Sequence, residues 1–270
     1  MRSLACCARG YRSSRLREVS NAAAERRAGI LDLLATTGFV DVADLAQRFT
    51  CSQATARRDL AALEGAGYLH RTHGGAIANG QRELPVGARL ETMAAAKQRI
   101  AEAAVGMVED GQAVGLTGGS TTQQIARRLA GRRGLTVVTN ALNVAMELAQ
   151  SDVRLVVTGG EMRPQSMELV GPLAEPTTSV LHLDVTFAGV DGLSVRGGLT
   201  THHPLEAQVN RVLIERSSRS VAVTDHTKLG RATFAQIVPL AAVTDVITDA
   251  DAPADVVADL EQAGVNVLRV

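Results

Sequence analysis

No stretch of this 270-residue chain approaches the ~18–20 apolar residues that a membrane-spanning helix needs. Cysteine is scarce. Cys6, Cys7 and Cys51 form neither a disulfide framework nor a zinc set with paired ligand spacing, so a reducing cytoplasm is expected. The first residues are basic, but the apolar stretch Leu4 to Ala8 is too short for a signal peptide, and residues 1–23 are expected to be a disordered extension. Neither G-x-x-x-x-G-K nor G-x-G-x-x-G occurs, which removes the Walker loop and the dinucleotide fingerprint. Lysine is nearly absent, Lys228 being one of two.

What is present describes a folded protein. Hydrophobic residues make up 46% and charged residues 21% of the chain, the balance of globular domains, and the length gives room for two of them. The formal net charge of zero hides an asymmetry. Residues 1–90 carry 13 arginines against 8 acidic residues, whereas residues 91–270 carry 15 basic against 20 acidic ones. A basic end on an acidic body suits a protein that meets a polyanion at one end, although chance also produces a difference this small.

Residues 24–80 are expected to form a small domain of three helices and a hairpin. The first helix, near residues 25–35, buries Ile30, Leu31, Leu33 and Leu34 and stops at Gly38. The second opens on Asp41 as N-cap and spaces Val42, Leu45, Ala46 and Phe49 at i, i+3, i+4 and i+7. After the turn Thr50-Cys51-Ser52, the third helix lies in SQATARRDLAALEGAG, capped by Ser52. At about 100° per residue, Ala56, Leu60 and Leu63 face inward while Ala54 and Arg58, flanked by Thr55 and Arg57, face out. Such a small, basic face fits a major groove, where arginine meets guanine edges or phosphates and methyl groups meet thymine. Tyr68-Leu69 and Ala76-Ile77 are expected to pair around His73-Gly74-Gly75, a wing carrying Arg71 and His73 toward phosphates or the minor groove. Together these make a winged helix-turn-helix; the plainer reading is a helical packing module with solvated arginines.

Residues 81–270 alternate short apolar runs with helical patterns: AVGLT, STTQQIARRLAG, LTVVT, NALNVAMELA, VRLVVT, VTFAGV, PLEAQVNRVLIERS, SVAVT, DVIT. The expected fold is α/β, a Rossmann-like, mostly parallel sheet with helices on both faces. Ligands of such sheets bind beyond the carboxyl ends of the strands. Those ends carry Gly118, Gly119, Ser120, Thr121 and Thr122, then Asn140, Gly160, Asp191 and Asp225. The Gly118–Thr122 segment sits between a strand and a helix, where backbone N–H groups and the helix dipole face an anion; an ordinary helix-opening turn has the same composition. Lys228 either neutralises that anion or pairs with Asp225. His202 and His203 are adjacent but have no partner set, so no metal and no cofactor are expected.

The stretch ERRAGILDLLATTGFVDVADLAQRFTCSQATARRDLAALEGAGYLHRTHGGA resembles the DNA-binding domain of the DeoR family of bacterial repressors, most specifically over Ser52–Ala76. Cys51 departs from the small aliphatic residue usual in that pattern. By resemblance, Ser52, Gln53, Thr55, Arg57 and Arg58 would sit at double-stranded operator DNA, with Arg71 and His73 on the wing. The pieces LTGGSTT, LTVVTNALNVA, VVTGGEMR, ELVGP, FAGVDGLS, GLTT and DHTKLGR resemble that family's effector domain, which adds Thr200 and Thr201 to the candidate effector set; Glu206, an acid at a helix start, completes it. The resemblance implies a homodimeric or homotetrameric repressor of carbohydrate genes, released by a phosphorylated sugar.

The same domain also resembles phosphosugar isomerases, which makes an enzyme fused to a DNA-binding domain the alternative. An aldose–ketose isomerase needs a positioned base and an electrophile for the enediolate. In VDGLSVRGGLTTHHPLEA, Asp191 remains, but Leu193-Ser194 stand where a second acid is expected, and Gly198-Leu199-Thr200-Thr201 offers no lysine. Glu206 is the acid left, and a first-turn carboxylate explains it equally. A site that binds without turnover is therefore expected. Arg58→Ala should abolish specific operator binding at about 1–3 kcal/mol for a base contact while the fold stays intact. A mobility-shift titration with wild-type affinity and salt slope would contradict the assignment of this helix.

Overall fold

Two short polar side chains set the helix boundaries at the start of the chain. The computed structural model describes residues 23–34, 39–66, 68–71, 74–78 and 86–270, and the chain divides into two units, Met1–Glu83 and Leu84–Val270. Nearly all of the expected N-terminal extension, residues 1–22, lies outside the described residues, as does His73. In the first unit, α1 covers residues 23–34, followed by β1 (Phe39–Asp41), α2 (Val42–Arg48), α3 (Gln53–Gly65), β2 (Leu69–Arg71) and β3 (Gly75–Ala78). Asp41 caps α2 by accepting from the Ala43 N–H at 2.6 Å. Ser52 caps α3 by accepting from the Thr55 N–H at 3.1 Å. Each cap satisfies a donor that the first helical turn leaves without a partner.

The core of this unit is Ile30, Leu34, Val40, Val42, Leu45, Ala56, Leu60, Leu63, Leu69 and Ala76. Leu31, Leu33 and Phe49, expected inside, pack against it only half-buried. The hairpin β2–β3 forms with Arg71 opposite Ala76. A third strand, β1, joins it on the other side, with Val40 opposite Ala76. Gly75 makes that approach possible, because a Cβ there would lie 1.9 Å from the Val40 carbonyl. One buried charge was not anticipated: Asp59, 2% exposed, accepts from Arg26 at 2.6 Å and Arg27 at 2.9 Å, tying α3 to α1.

The second unit begins with α4 (Val86–Glu91) and α5 (Ala94–Gly106). Then come β4 (Ala113–Leu116), α6 (Ser120–Leu129), β5 (Thr136–Thr139), α7 (Leu142–Leu148) and β6 (Arg154–Val157). A small hairpin, β7 (Glu161–Met162) and β8 (Leu169–Val170), and α8 (Glu175–Ser179) lead to β9 (Leu183–Gly189). After β10 (Gly192–Ser194), β11 (Gly198–Thr201) and α9 (Pro204–Glu215), the chain ends with β12 (Ser217–Val223), β13 (Ala235–Val238), β14 (Asp245–Thr248), α10 (Ala254–Gln262) and β15 (Asn266–Arg269). Seven parallel strands in the order β15-β14-β12-β9-β4-β5-β6 form the main sheet.

Alternate residues of these strands feed two cores on opposite faces, as strand pleating requires. Val185, Phe187, Val221 and Ile247 pack with Ile100 of α5 and Ile125 of α6. Ala188, Ala222 and Val246 pack with Ile214 of α9 and Leu260 of α10. The sheet is thus doubly wound, with strand order reversing between β4 and β9. A separate antiparallel sheet, β10-β11-β13, leans on the second core.

Asp59→Asn should lower stability by about 1–3 kcal/mol, because it removes two charge-assisted hydrogen bonds from a buried carboxylate. A chemical-denaturation midpoint equal to wild type would show that the α1–α3 tie contributes nothing.

Candidate functional site

On α3 the outward face is the expected one. Ser52, Gln53, Ala54, Arg57 and Arg58 are exposed, and Thr55 is half-buried. The Ser52 and Thr55 hydroxyls bond each other at 2.8 Å, and Arg57 reaches the Gln53 side chain at 3.4 Å. No hydrogen bond or ion pair engages Arg58 among the described residues, so its guanidinium is available. Arg71 differs from expectation. Its side chain and its own N–H both bond the Glu64 carboxylate, at 2.6 and 3.0 Å, so contact with DNA would have to exchange that exposed pair.

In the second unit, the turns after β4 and β9 meet where the strand order reverses, the crevice in which open α/β sheets hold ligands. The Thr117 hydroxyl accepts from the Gly189 N–H at 2.9 Å, locking the two turns together. Gly119 caps α6 at φ +131°, a backbone region that favours glycine. Ser120, Thr121 and Thr122 are buried in the first turn of α6, although the Thr122 hydroxyl is directed back to the Gly119 carbonyl at 3.0 Å.

A cluster of charges surrounds Asp191, which follows β9. Arg89 of α4 donates to it at 2.9 Å, the Thr201 hydroxyl, whose single proton is shared with Glu206, lies at 3.1 Å, and Lys228 stands 3.8 Å away. Burial opposes ionisation of Asp191, but Lys228 and Arg89, helped by His202 and Thr201, hold its carboxyl below the usual range. Lys228 donates to the Val190 carbonyl at 2.6 Å, and Asp191, not Asp225, is its ion-pair partner. Asp225 is occupied by the N–H and hydroxyl of Thr227. Burial again opposes its ionisation, and Lys228, Thr227 and Lys97 outweigh it. The loop that carries Asp225 and Lys228 is fixed by fully buried Asp249, which accepts from the His226 N–H at 2.9 Å and bonds the His226 ring at 2.8 Å.

Lys97 joins this cluster, so both lysines of the chain meet here. Its ammonium donates to the Arg89 and Thr92 carbonyls, each at 2.6 Å. Burial, with the charges of Lys228 and Arg89 against that of Asp225, brings its pKa down to about 8.

Beside the charges lies a network of buried carboxyls and amides. Glu206, 1% exposed in the first turn of α9, pairs with Arg163 and accepts from Thr201 at 2.9 Å. Glu168, which follows the turn from β7, accepts on one oxygen from Asn140 at 3.0 Å and Asn210 at 3.1 Å. Its other oxygen faces Gly118, where a Cβ would come within 2.2 Å. Burial and the charge of Glu206 push the Glu168 carboxyl well above its ordinary range, against the pull of the two amides.

Two expected residues stand apart. The Thr200 hydroxyl donates to the Gly192 carbonyl at 3.0 Å and accepts from the Thr233 N–H at 2.9 Å, which ties the small sheet together. Gly160 is at φ +129° with a would-be Cβ 2.7 Å from the Val170 carbonyl, so close packing against β8 explains that glycine. Arg89, Lys97, Arg163, Glu168 and Asn210 escaped sequence reading. Lys97 left a signal as the other lysine of the pair, and Arg163 and Glu168 lie within the segments VVTGGEMR and ELVGP.

The family model described as the DeoR C terminal sensor domain matches residues 92–250, and the one described as the DeoR-like helix-turn-helix domain matches residues 26–82. The HTH-type transcriptional regulator GlpR of Haloferax volcanii is 35% identical over 247 residues, covering 91% of this chain and 97% of that protein. The putative aga operon transcriptional repressor of Escherichia coli O157:H7 is 36% identical over 251 residues, covering 91% and 93%. The glycerol-3-phosphate regulon repressor of Escherichia coli K12 is 31% identical over 234 residues, covering 86% and 93%. Among solved structures, ribose 5-phosphate isomerase A from Methanocaldococcus jannaschii aligns at a TM-score of 0.37 and 21% identity over 49% of this chain and 52% of that one, too slight a likeness to argue from.

Because burial and the charge of Glu206 raise the Glu168 carboxyl above its ordinary value of 4.5 in the fold, it contributes stability fully below that value, and the contribution is lost as pH rises toward the folded value. Glu168→Gln, which cannot ionise, should therefore melt above wild type by a margin that grows between pH 5 and pH 8. A margin that is constant, or that shrinks with pH, would mean that Glu168 is ionised in the fold.

Proposed function

This chain belongs to the DeoR family of helix-turn-helix transcriptional regulators, and from that premise we propose that it represses a carbohydrate operon until a phosphorylated sugar or polyol binds its second unit. The supporting observation is the convergence of Arg89, Lys97 and Lys228 at the β4/β9 crevice, in a chain with two lysines. These cations gather around Asp191 and Asp225 near the opening of α6. Phosphate is favoured by both the cations and the helix dipole. The names of the glycerol-3-phosphate regulon repressor and the aga operon repressor support the same class of ligand for this chain.

The DNA unit, about residues 24–80, would use Ser52, Gln53, Thr55, Arg57 and Arg58 on α3, with Arg71 on the wing. Two copies of the chain would present two recognition helices to operator half-sites. Control then follows from linkage. Helix α4 is the first element of the second unit, and its Arg89 pairs with Asp191 at the proposed phosphate site. A phosphate that recruits Arg89 changes how α4 is held, and so biases the chain leading back to the DNA unit. A coupling of about 1–3 kcal/mol alters operator affinity roughly 5–150-fold.

Binding without catalysis fits the carboxylates. A general base works best with a pKa near the operating pH, whereas Asp191 is held low by Lys228 and Arg89, and Glu206 is paired with Arg163. Wild-type protein incubated with pentose and hexose phosphates should form no isomer above background; turnover that vanishes in an Asp191 or Glu206 variant would favour the enzyme instead.

A thermal-shift screen against sugar phosphates tests the effector reading, since a site-specific ligand stabilises by about 2.7 kcal/mol at a hundredfold excess over Kd. Gly119→Val should abolish the response while DNA binding persists, because the φ of +131° strains a β-branched residue whose Cβ would also lie 3.4 Å from the Thr122 hydroxyl. An unchanged response in that variant would move the ligand away from the α6 turn. Binding an anion beside Lys97 should also restore its proton, so effector affinity should fall as pH rises past about 8. Affinity that is flat from pH 7 to pH 9.5 would put Lys97 outside the site.

A further inference from the structure

The hairpin β2–β3 is gripped from both sides. The strand order β1-β3-β2 makes β2 the open edge of its sheet. On the β3 side, β1 pairs from Phe39–Ile77 to Asp41–Gly75, and Val42 at the start of α2 donates its N–H to the Gly74 carbonyl at 2.9 Å. On the open side, the Arg71 backbone N–H donates to Glu64 Oε1 at 3.0 Å, and Arg71 Nε donates to Glu64 Oε2 at 2.6 Å. One carboxylate in the last turn of α3 thus holds both the main chain and the side chain of the last residue of β2.

An exposed ion pair adds little to stability, and with side-chain exposures of 47% and 33% this is one. Its placement matters more. At the inner end of β2, Leu69 is buried in one core with Leu63 of α3, and the Tyr68 N–H bonds the Leu63 carbonyl at 2.9 Å. With that attachment alone, the outer end of β2 would be tied to α2 through β3 and β1 but not to α3. Leu69 and Arg71 lie on the same face of the strand, so the contact at Arg71 is a second point of attachment to α3, and two points fix an angle. Glu64 also lies on the side of α3 that carries Arg57. Seven residues at about 100° each return to within roughly 20°, two turns and about 10 Å further along the helix. A lone carboxylate there would repel a phosphate backbone lying along this face, and Arg71 neutralises it.

We infer that Arg71 and Glu64 form a brace between the wing and α3, in which Arg71 is a positioning residue and not a phosphate contact. The brace sets the angle at which recognition helix and wing meet the duplex together. This rests on the reading above that the first unit binds operator DNA through α3. A wing free to swing must be ordered at each encounter, and that ordering costs affinity. The loss falls on a site where helix and wing both have to fit. Loosely held, sequence-independent binding does not require the angle and is spared.

The test uses the purified full chain, a duplex that the wild-type protein enriches from a random-sequence library, and a scrambled duplex of the same composition. Affinities are read by fluorescence anisotropy between about 50 and 200 mM salt. Glu64→Gln and Arg71→Ala should each lower the ratio of selected to scrambled affinity about fivefold or more, and the double variant no further than either alone. Both should keep the wild-type melting temperature, and Arg71→Ala should keep the wild-type salt slope. The opposite reading, an arginine that Glu64 withholds from phosphate, predicts tighter binding by Glu64→Gln and a slope about 0.9 shallower in Arg71→Ala. Either result overturns the brace and leaves the DNA unit standing. An unchanged ratio, losses that add, or a lower melting temperature with both duplexes weakened equally also overturns it. If the wild-type chain enriches no sequence, the DNA reading fails and the brace with it.

Discussion

The arrangement depends on how closely the turns leaving β4 and β9 approach each other. A Cβ on Gly189 would sit 2.5 Å from the Gly118 carbonyl, and one on Gly118 would sit 2.2 Å from the Glu168 carboxyl. Side chains at either position would push the strands or the β7–β8 segment apart. With neither present, the Thr117 hydroxyl reaches the Gly189 N–H, Asp191 is delivered beside Arg89 and Lys228, and Glu168 is pressed against the opening of α6. Gly118 and Gly189 bring protein to protein, whereas Gly119, at φ +131°, has a backbone conformation that favours glycine itself.

That geometry sorts four carboxylates of one residue class into different states. Asp225 is buried and Asp191 partly so, yet lysine and arginine neighbours hold both carboxyls below the usual range, whereas Glu168 has amides for partners and Glu206 for a neighbour. Burial alone raises a carboxyl; the sign of the nearest charge decides whether it stays raised. Lysine and arginine thus gather at Asp191 and Asp225, whereas two amides hold Glu168.

Local signals were legible in the sequence, and long-range ones were not. Asp41 and Ser52 announce their helices because a cap acts within three residues. The strand runs announce a parallel sheet because both faces are covered and the runs are apolar throughout. By contrast, Arg89 and Asp191 are 102 positions apart, and nothing in either neighbourhood marks the pair. Asp59 was hidden similarly, since its helix phase suggested a flank and its partners lie on α1. Thr200 and Gly160 misled in the other direction. Their residue types suit a ligand loop, but a hydroxyl that pins two backbone segments and a glycine that lets strands touch leave the same trace in sequence.

The element best placed to carry a signal is α4, and the physical reason is its length. A six-residue helix has too few internal hydrogen bonds to stand alone, so its position rests on what it touches: Val86 is buried and its N–H bonds the Gln165 carbonyl, Arg89 bonds Asp191, and Lys97 bonds carbonyls at its end. Two of those three anchors are cations at the proposed phosphate site. A ligand that competes for Arg89 and Lys97 thus acts on the helix through the bonds that hold it. Shifts of this kind need differential contacts in two arrangements and not tight binding as such. Arg89 has a ready alternative partner in an incoming phosphate, so exchanging one charge-assisted bond for another can repopulate the position of α4 at little net cost, within the 1–3 kcal/mol range of ordinary coupling.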